Sequence, residues 1–116
     1  MAGICIEGWS ITMSTTTEKL FADATELIHA RGSQYGHPYS QHSRIAELWS
    51  AYFHFPITAN QVAMAMCLVK ISRSVESPEI SDHYKDAVAY IAIAKTCHEA
   101  MQDSALDWRS NGFRFI

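Results

Sequence analysis

Three short breaks that contain glycine or proline divide this chain into helical segments, and they limit what it can fold into. The breaks are RGSQYGHP at 31–38, HFPI at 54–57 and SVESPE at 74–79. Proline disfavours helix in the residue before it, and glycine commonly follows the last helical residue. Between the breaks, no segment shows the sustained alternation of a strand. We therefore predict an all-α fold, a compact bundle of about four helices.

The first two helices have recognisable limits. Helix one is predicted from about Thr16 to Arg31, with Thr15 and Glu18 as a capping box and Gly32 as its stop. Helix two should begin near Ser40 and end at HFPI. Its apolar face follows helical spacing and consists of Ile45, Leu48, Trp49 and Tyr52.

Helix three has the clearest start signal, because Thr58 and Gln61 form a capping box. The following segment, VAMAMCLVKI, is apolar on nearly every face, so we expect this helix to be central. Helix four is predicted from an N-cap at Ser81 to about Gln102. Small residues recur in these two helices and favour close packing, including packing across a homo-oligomer interface: Ala63, Ala65, Ala87, Ala89, Ala92 and Ala94.

Length and composition limit the class of protein. The 116 residues suit one domain, which we divide into an N-terminal extension (1–14), a helical bundle (15–104) and an aromatic tail (105–116). A net charge of −3 argues against general nucleic-acid binding. Three widely spaced cysteines without a CxxC pair fit a reducing cytoplasm, and no apolar run is long enough to cross a membrane.

The first break carries more chemistry than a linker needs. Geometry accounts for its glycines and proline, but Gln34, Tyr35 and His37 exceed what a turn requires. These three side chains could instead stack on a base or contact a phosphate at the mouth of the bundle. The loop alone does not distinguish these interpretations.

Charged residues in the apolar helices form the second candidate site. Lys70 and Arg73 lie three residues apart on helix three, and helix four places Asp82, Asp86 and Tyr90 along one stripe. A structural ion-pair network explains the four charges most simply. Alternatively, the acids could hold a cation and the bases could face a phosphorylated ligand.

The segments RGSQYGHPYSQHSRIAELWSAYF, ITANQVAMAMCLVKISR and DHYKDAVAY together resemble a group of small phage and prophage helical proteins of unknown function. The resemblance spans about residues 26–95 and implies a helical fold of phage origin in the host cytoplasm. More distantly, the chain is similar to the all-α MazG-like nucleotide pyrophosphohydrolases, which use magnesium held by paired acidic motifs. Asp86 matches the Asp of the later motif, whereas His83 stands where that family has Glu.

Three functions follow as hypotheses. The first is a protein that holds a phosphorylated, nucleotide-like ligand without a cofactor, with the role of sequestering a host defence signal. Its ligand-binding residues would be Gln34, Tyr35, His37, Arg44, Trp49, Lys70, Arg73 and Tyr90. The second is a magnesium-dependent pyrophosphohydrolase, with Glu47, Asp82 and Asp86 as metal ligands and Lys70 and Asp86 as the catalytic pair. The third is a module that inhibits a host enzyme through its aromatic tail, with Trp108, Phe113 and Phe115 as anchors.

Overall fold

The computed structural model describes the backbone of residues 7–110 and the side chains of residues 16–103. Within that part the chain forms α1 (Glu7–Tyr35), α2 (Pro38–Phe53), α3 (Ala59–Glu76) and α4 (Ser81–Ser110), with no strand. The all-α prediction is therefore confirmed. Cys5 and the side chains of the aromatic tail lie outside the described residues.

Helix α1 is longer at both ends than predicted. It begins at Glu7 and passes through Thr15, so the predicted capping box is wrong. It also passes through Gly32, since a glycine inside a helix costs only about 1 kcal/mol relative to alanine. The helix ends at Gly36, which has φ of +90° and whose N–H donates to the carbonyl of Gly32 at 2.9 Å.

Exchanging these two glycines for alanine should change stability in opposite directions. Gly36→Ala should lower the free energy of unfolding by about 1 kcal/mol, because positive φ strains any residue with a Cβ. Gly32→Ala is the matched control and should raise it by about 0.5 kcal/mol, since the added Cβ meets nothing within 4 Å. Thermal melts of both variants measure the difference. Equal shifts would contradict the assignment of Gly36 as the residue that ends α1.

Helix α2 begins at Pro38, two residues before the predicted start. His37 is its N-cap, and its ring Nδ1 accepts from the N–H of Tyr39 at 3.0 Å. The predicted apolar face is correct only in part, because Leu48 and Tyr52 are exposed. The buried residues of α2 are His42 and Ala46, which shows that the inward face is rotated from the one predicted.

Helix α3 starts as predicted. The Gln61 N–H donates to Thr58 Oγ1 at 3.2 Å, and the Thr58 N–H donates to Gln61 Oε1 at 3.0 Å. The expectation that α3 is central is wrong, because only one side of it is buried while Leu68 and Val75 are exposed. Helix α3 contacts only α2 and α4, whereas α2 and α4 each contact all three other helices and α4 does so most extensively.

Helix α4 has Ser81 as its first helical residue, with Asp82 in the first turn, so Ser81 is not the predicted N-cap. The helix continues to Ser110, well past the predicted end at Gln102. Among the described residues, no helix combines the length and apolar character that spanning a bilayer requires.

The core lies mainly between α3 and α4 and is built from small side chains. Its buried members are Ala59, Ala63, Ile93, Ala94 and Cys97. The side-chain amide of Asn60 donates to the carbonyl of Ala94 at 2.8 Å, which ties the two helices together. Such close approach is possible because alanine occupies the contact.

The cysteines of α3 and α4, Cys67 and Cys97, are both buried and free. Burial raises the pKa of the Cys97 thiol, because desolvation disfavours the thiolate. A protonated thiol with no exposed surface is a core side chain and not a nucleophile.

Candidate functional site

A cleft of about 340 Å³ opens where α1 turns into α2. The turn supplies one wall, α2 supplies the floor, and α3 and α4 close the far side. Its polar and aromatic lining residues are Arg31, Tyr35, Gln41, His42, Trp49 and Tyr90. Ile28, Ile45, Met66 and Ile93 provide most of its apolar surface. Concave, mostly apolar pockets with a few polar groups are typical of small-molecule sites.

His42 is the buried polar residue of the cleft, with only 4% of its surface exposed. Its Nδ1 lies 2.8 Å from the carbonyl oxygen of Pro38, one turn earlier on α2. A carbonyl oxygen only accepts, so Nδ1 must carry the proton and donate it. In the neutral ring Nε2 is then an acceptor, and no described residue forms a hydrogen bond with it.

Aromatic rings surround His42. The ring of Tyr90 on α4 meets the imidazole edge-on, with ring centroids 6.2 Å apart and planes at 70°. Trp49 lies two turns along α2 from His42, and Tyr35 stands at the open side of the cleft. Rings of this kind provide flat apolar surface for stacking and polar edges for orientation.

The charge of the lining is positive. Arg31 is the cationic residue among the described residues that line it, and none of these is an aspartate or glutamate. Because a guanidinium binds phosphate and carboxylate groups with paired hydrogen bonds, the cleft is suited to an anion. A divalent cation would have no carboxylate ligand there.

The structure brings together only part of the predicted ligand-binding set. Tyr35, Trp49 and Tyr90 all line the cleft. Gln34 and Arg44 are exposed and outside it. The ring of His37 caps α2, so its Nδ1 is already occupied by a backbone N–H.

Lys70 and Arg73 are not among the described residues that line the cleft, although Lys70 lies one helical turn beyond Met66 on α3. Lys70 Nζ is 3.3 Å from Asp86 Oδ2, and each side chain is 14% exposed. Asp82 instead pairs with Lys85 on its own helix at 3.2 Å. Arg73 is exposed and forms no ion pair with a described residue. The predicted four-residue network is thus one inter-helix pair and one exposed pair within α4.

The predicted metal ligands are not gathered in this chain. Glu47 is exposed on α2, whereas Asp82 and Asp86 are on α4, where each pairs with a lysine. Among residues 16–103, no group of three or more His, Cys, Asp or Glu side chains is placed to hold a metal ion.

Comparison with known proteins places the chain in a family. Residues 19–98 match a family described as a domain of unknown function, DUF6378. The chain belongs to the DUF6378 family. The described residues that line the cleft all lie within the matched segment.

Relatives of this DUF6378 protein occur in mycobacteriophages. The Gene 55 protein of Mycobacterium phage D29 is 32% identical over 84 residues, which are 72% of this chain and 56% of that protein. The Gene 55 protein of Mycobacterium phage L5 is 34% identical over 76 residues, 64% of this chain and 49% of that protein. The chain therefore spans about half the length of these relatives. No solved structure matches it. The predicted resemblance to a phage family of unknown function is confirmed.

Sequence reasoning missed Arg31, Gln41 and His42 in this DUF6378 protein. A signal for His42 was present, since it shares one helix face with Ala46 and Trp49 at spacings of four and seven residues. A histidine in line with apolar residues on an inward face is a candidate for burial. Arg31 was assigned only as the end of helix one, and Gln41 carried no distinctive signal.

Proposed function

We propose that this chain is a phage small-molecule-binding protein whose cleft holds a nucleotide-like ligand. The observation that carries the proposal is His42, a buried imidazole whose Nε2 has no hydrogen-bonding partner among the described residues. Buried polar atoms are normally paired, so an unpaired one at the wall of a cleft indicates a ligand group. A ligand N–H or O–H group can donate to Nε2 of the neutral ring, whose Nδ1 donates to Pro38.

The other lining residues favour a particular kind of ligand. Trp49, Tyr35 and Tyr90 suit a planar ring, and Arg31 suits an anionic group attached to it. A base with an amino or ring N–H group can donate to His42. The volume of about 340 Å³ is near the lower limit of the ~300–1,000 Å³ common for ligand pockets, so a mononucleotide fits better than a dinucleotide.

Binding without hydrolysis is the better-supported activity. A magnesium-dependent pyrophosphohydrolase needs several carboxylates around the phosphates, and the lining formed by residues 16–103 contains none. Lys70, the cation assigned to phosphate in that alternative, is held by Asp86. In an infected cell, a binder of this kind would lower the free concentration of its ligand. Sequestration of a nucleotide signal is the role we propose for it.

The first experiment identifies the ligand directly. The purified chain is denatured, and the released small molecules are analysed by mass spectrometry. The intact protein is then titrated with the four nucleoside monophosphates and triphosphates, with and without magnesium. Release or binding of an intact nucleotide supports the proposal. Conversion of a triphosphate to a monophosphate and pyrophosphate would establish the enzyme instead, and absence of any nucleotide binding would refute both.

A pair of arginine variants tests the assigned position of the phosphate. Arg31→Ala should weaken binding of a nucleoside monophosphate about tenfold, close to 1.4 kcal/mol, because it removes a charge-assisted hydrogen bond. Binding of the corresponding nucleoside should not change. Arg44→Ala is the matched control, since Arg44 is also exposed but lies outside the cleft. Calorimetric titration measures all four combinations, and an equal effect of the two variants would contradict the assignment.

A further inference from the structure

Helices α3 and α4 carry matching rows of largely exposed apolar residues. On α3 the row is Met64, Leu68, Ile71 and Val75. The neighbouring row consists of Ile80, immediately before α4, and of Tyr84, Ala87 and Ile91 on α4. Both rows advance by four, three and four residues, the 3.5-residue period that keeps a row facing a neighbouring helix. The seven large side chains of these rows are 42% to 79% exposed.

Two contacts define the register of the helix pair. Asn60 bonds to the carbonyl of Ala94, and Lys70 pairs with Asp86. The helices are thus antiparallel, and because both rise by the same length per residue, a step forward along α3 corresponds to an equal step back along α4. The two contacts agree on the register to within two residues, and the register midway between them is used below.

The same register places the members of the two rows side by side. It sets Met64 level with Ile91, Leu68 with Ala87, Ile71 with Tyr84, and Val75 with Ile80.

The two rows lie on the same side of the pair. Asn60 precedes Met64 by four residues, and Ala94 follows Ile91 by three, so their hydrogen bond joins the rows at one end. At the other end, the hydroxyl of Tyr84 donates to the carbonyl of Pro78 at 2.9 Å, which satisfies its polar atom and leaves its ring on the surface. The rows together form one continuous surface, here called the α3–α4 face.

The α3–α4 face carries no charge. Four nearby ionic groups are paired, Asp82 with Lys85 on α4 and Asp86 with Lys70 between the helices, whereas Arg73, Glu76 and Glu79 are exposed beside the rows and are not members of them. A two-fold symmetric pairing brings one patch against an identical patch, so charges of one sign in it would oppose themselves. A face without charge meets its own copy without that penalty.

The area of the face is close to what one partner of a stable pair buries. With roughly 200 Å² for a fully exposed large side chain, the seven exposed fractions correspond to about 700 Å². Each partner in a stable protein pair buries about 800 Å². The largest apolar patch on a typical monomer is about 300–600 Å².

We infer that two copies of this chain pair through the α3–α4 face. The two helices of each copy then form an intermolecular four-helix arrangement, for which the 3.5-residue spacing of both rows is suited. The cleft opens at the turn between α1 and α2 and takes no part in the face, so this inference is independent of the proposed function.

Sedimentation velocity of the full chain tests the inference over about 1–100 µM, the range in which micromolar association is resolved. We expect a dimer. Leu68→Asp should raise the dissociation constant of the dimer about 30-fold. Each copy would contribute one carboxylate to the apolar interface, so the interface would contain two. Leu48→Asp is the matched control, since Leu48 is 69% exposed and Leu68 65%, but Leu48 lies on α2. It should dimerise like the unsubstituted chain.

Each result of these measurements either supports or overturns the inferred dimer. A chain that remains monomeric at about 100 µM overturns the inference and leaves the face to a different protein or to the chain's own C-terminal residues. Equal weakening by Leu68→Asp and Leu48→Asp overturns it as well. Circular dichroism verifies that each variant is folded. If Leu68→Asp is not, Val75→Asp, which alters a still more exposed position of the same row, takes its place.

Discussion

Replacing Asp86 with asparagine is expected to lower the free energy of unfolding by about 2 kcal/mol, less than the ~3–5 kcal/mol for removing one partner of a fully buried ion pair, because both side chains keep some contact with solvent. Lys70 would keep its charge in a position that is 14% exposed, without the carboxylate 3.3 Å away. The cost comes from that uncompensated charge more than from the lost attraction. Chemical denaturation monitored by circular dichroism measures it.

Asp82→Asn is the control, because Asp82 is also on α4 and also pairs with a lysine. Its side chain is 72% exposed, so we expect a change below about 0.5 kcal/mol, as for other surface pairs. Lys70→Met combined with Asp86→Leu should recover most of the loss, since removing both charges leaves none unpaired. If Asp86→Asn were as stable as the unsubstituted chain, Asp86 would return as a candidate for the metal or substrate chemistry suggested by the MazG-like resemblance.

Ala63→Leu is expected to cost about 3 kcal/mol of unfolding free energy, at the upper end for overpacking a core. Ala63 is fully buried in the contact of α3 with α4, in the cluster that includes Ile93 and Cys97. Three added carbon atoms have no space there unless the helices separate. Separation would also break the hydrogen bond from Asn60 to Ala94.

The matched control is Ala22→Leu on α1, where the side chain is exposed. It should change the free energy of unfolding by less than about 0.5 kcal/mol, because leucine is nearly as good a helix former as alanine. Thermal and denaturant unfolding of both variants give the comparison. A small effect of Ala63→Leu would mean that α3 and α4 can move apart, which contradicts a tightly packed contact between them.

Local sequence signals predicted the helix limits correctly where a residue pattern is compatible with only one local structure. Thr58 and Gln61 are an example. The side chain of each accepts a hydrogen bond from the backbone N–H of the other, and both hydrogen bonds are present. Pro56 likewise separates α2 from α3 as expected. The end of α1 was harder, because Gly32 and Gly36 carry the same local signal. The two glycines differ in their neighbours, since the N-cap and first residue of the next helix come immediately after Gly36.

The candidate site was predicted less completely than the fold. The first break was correctly singled out, and Tyr35 within it lines the cleft, but His37 serves as a helix cap. Whether a histidine caps a helix or lines a pocket depends on the direction of its side chain, which spacing does not specify. His42 illustrates the reverse case, since its burial depends on Tyr90 from α4 closing over it.

By itself, the sequence determined the all-α class, the three breaks and the kinship with a phage family of unknown function. These depend on periodicity, capping and turn chemistry, which act over a few residues. Only the tertiary structure decided that Lys70 pairs with Asp86, that α4 is the central helix and that the cleft and the α3–α4 face lie apart. Such features arise from the register and rotation of packed helices, which depend on contacts between residues far apart in the chain.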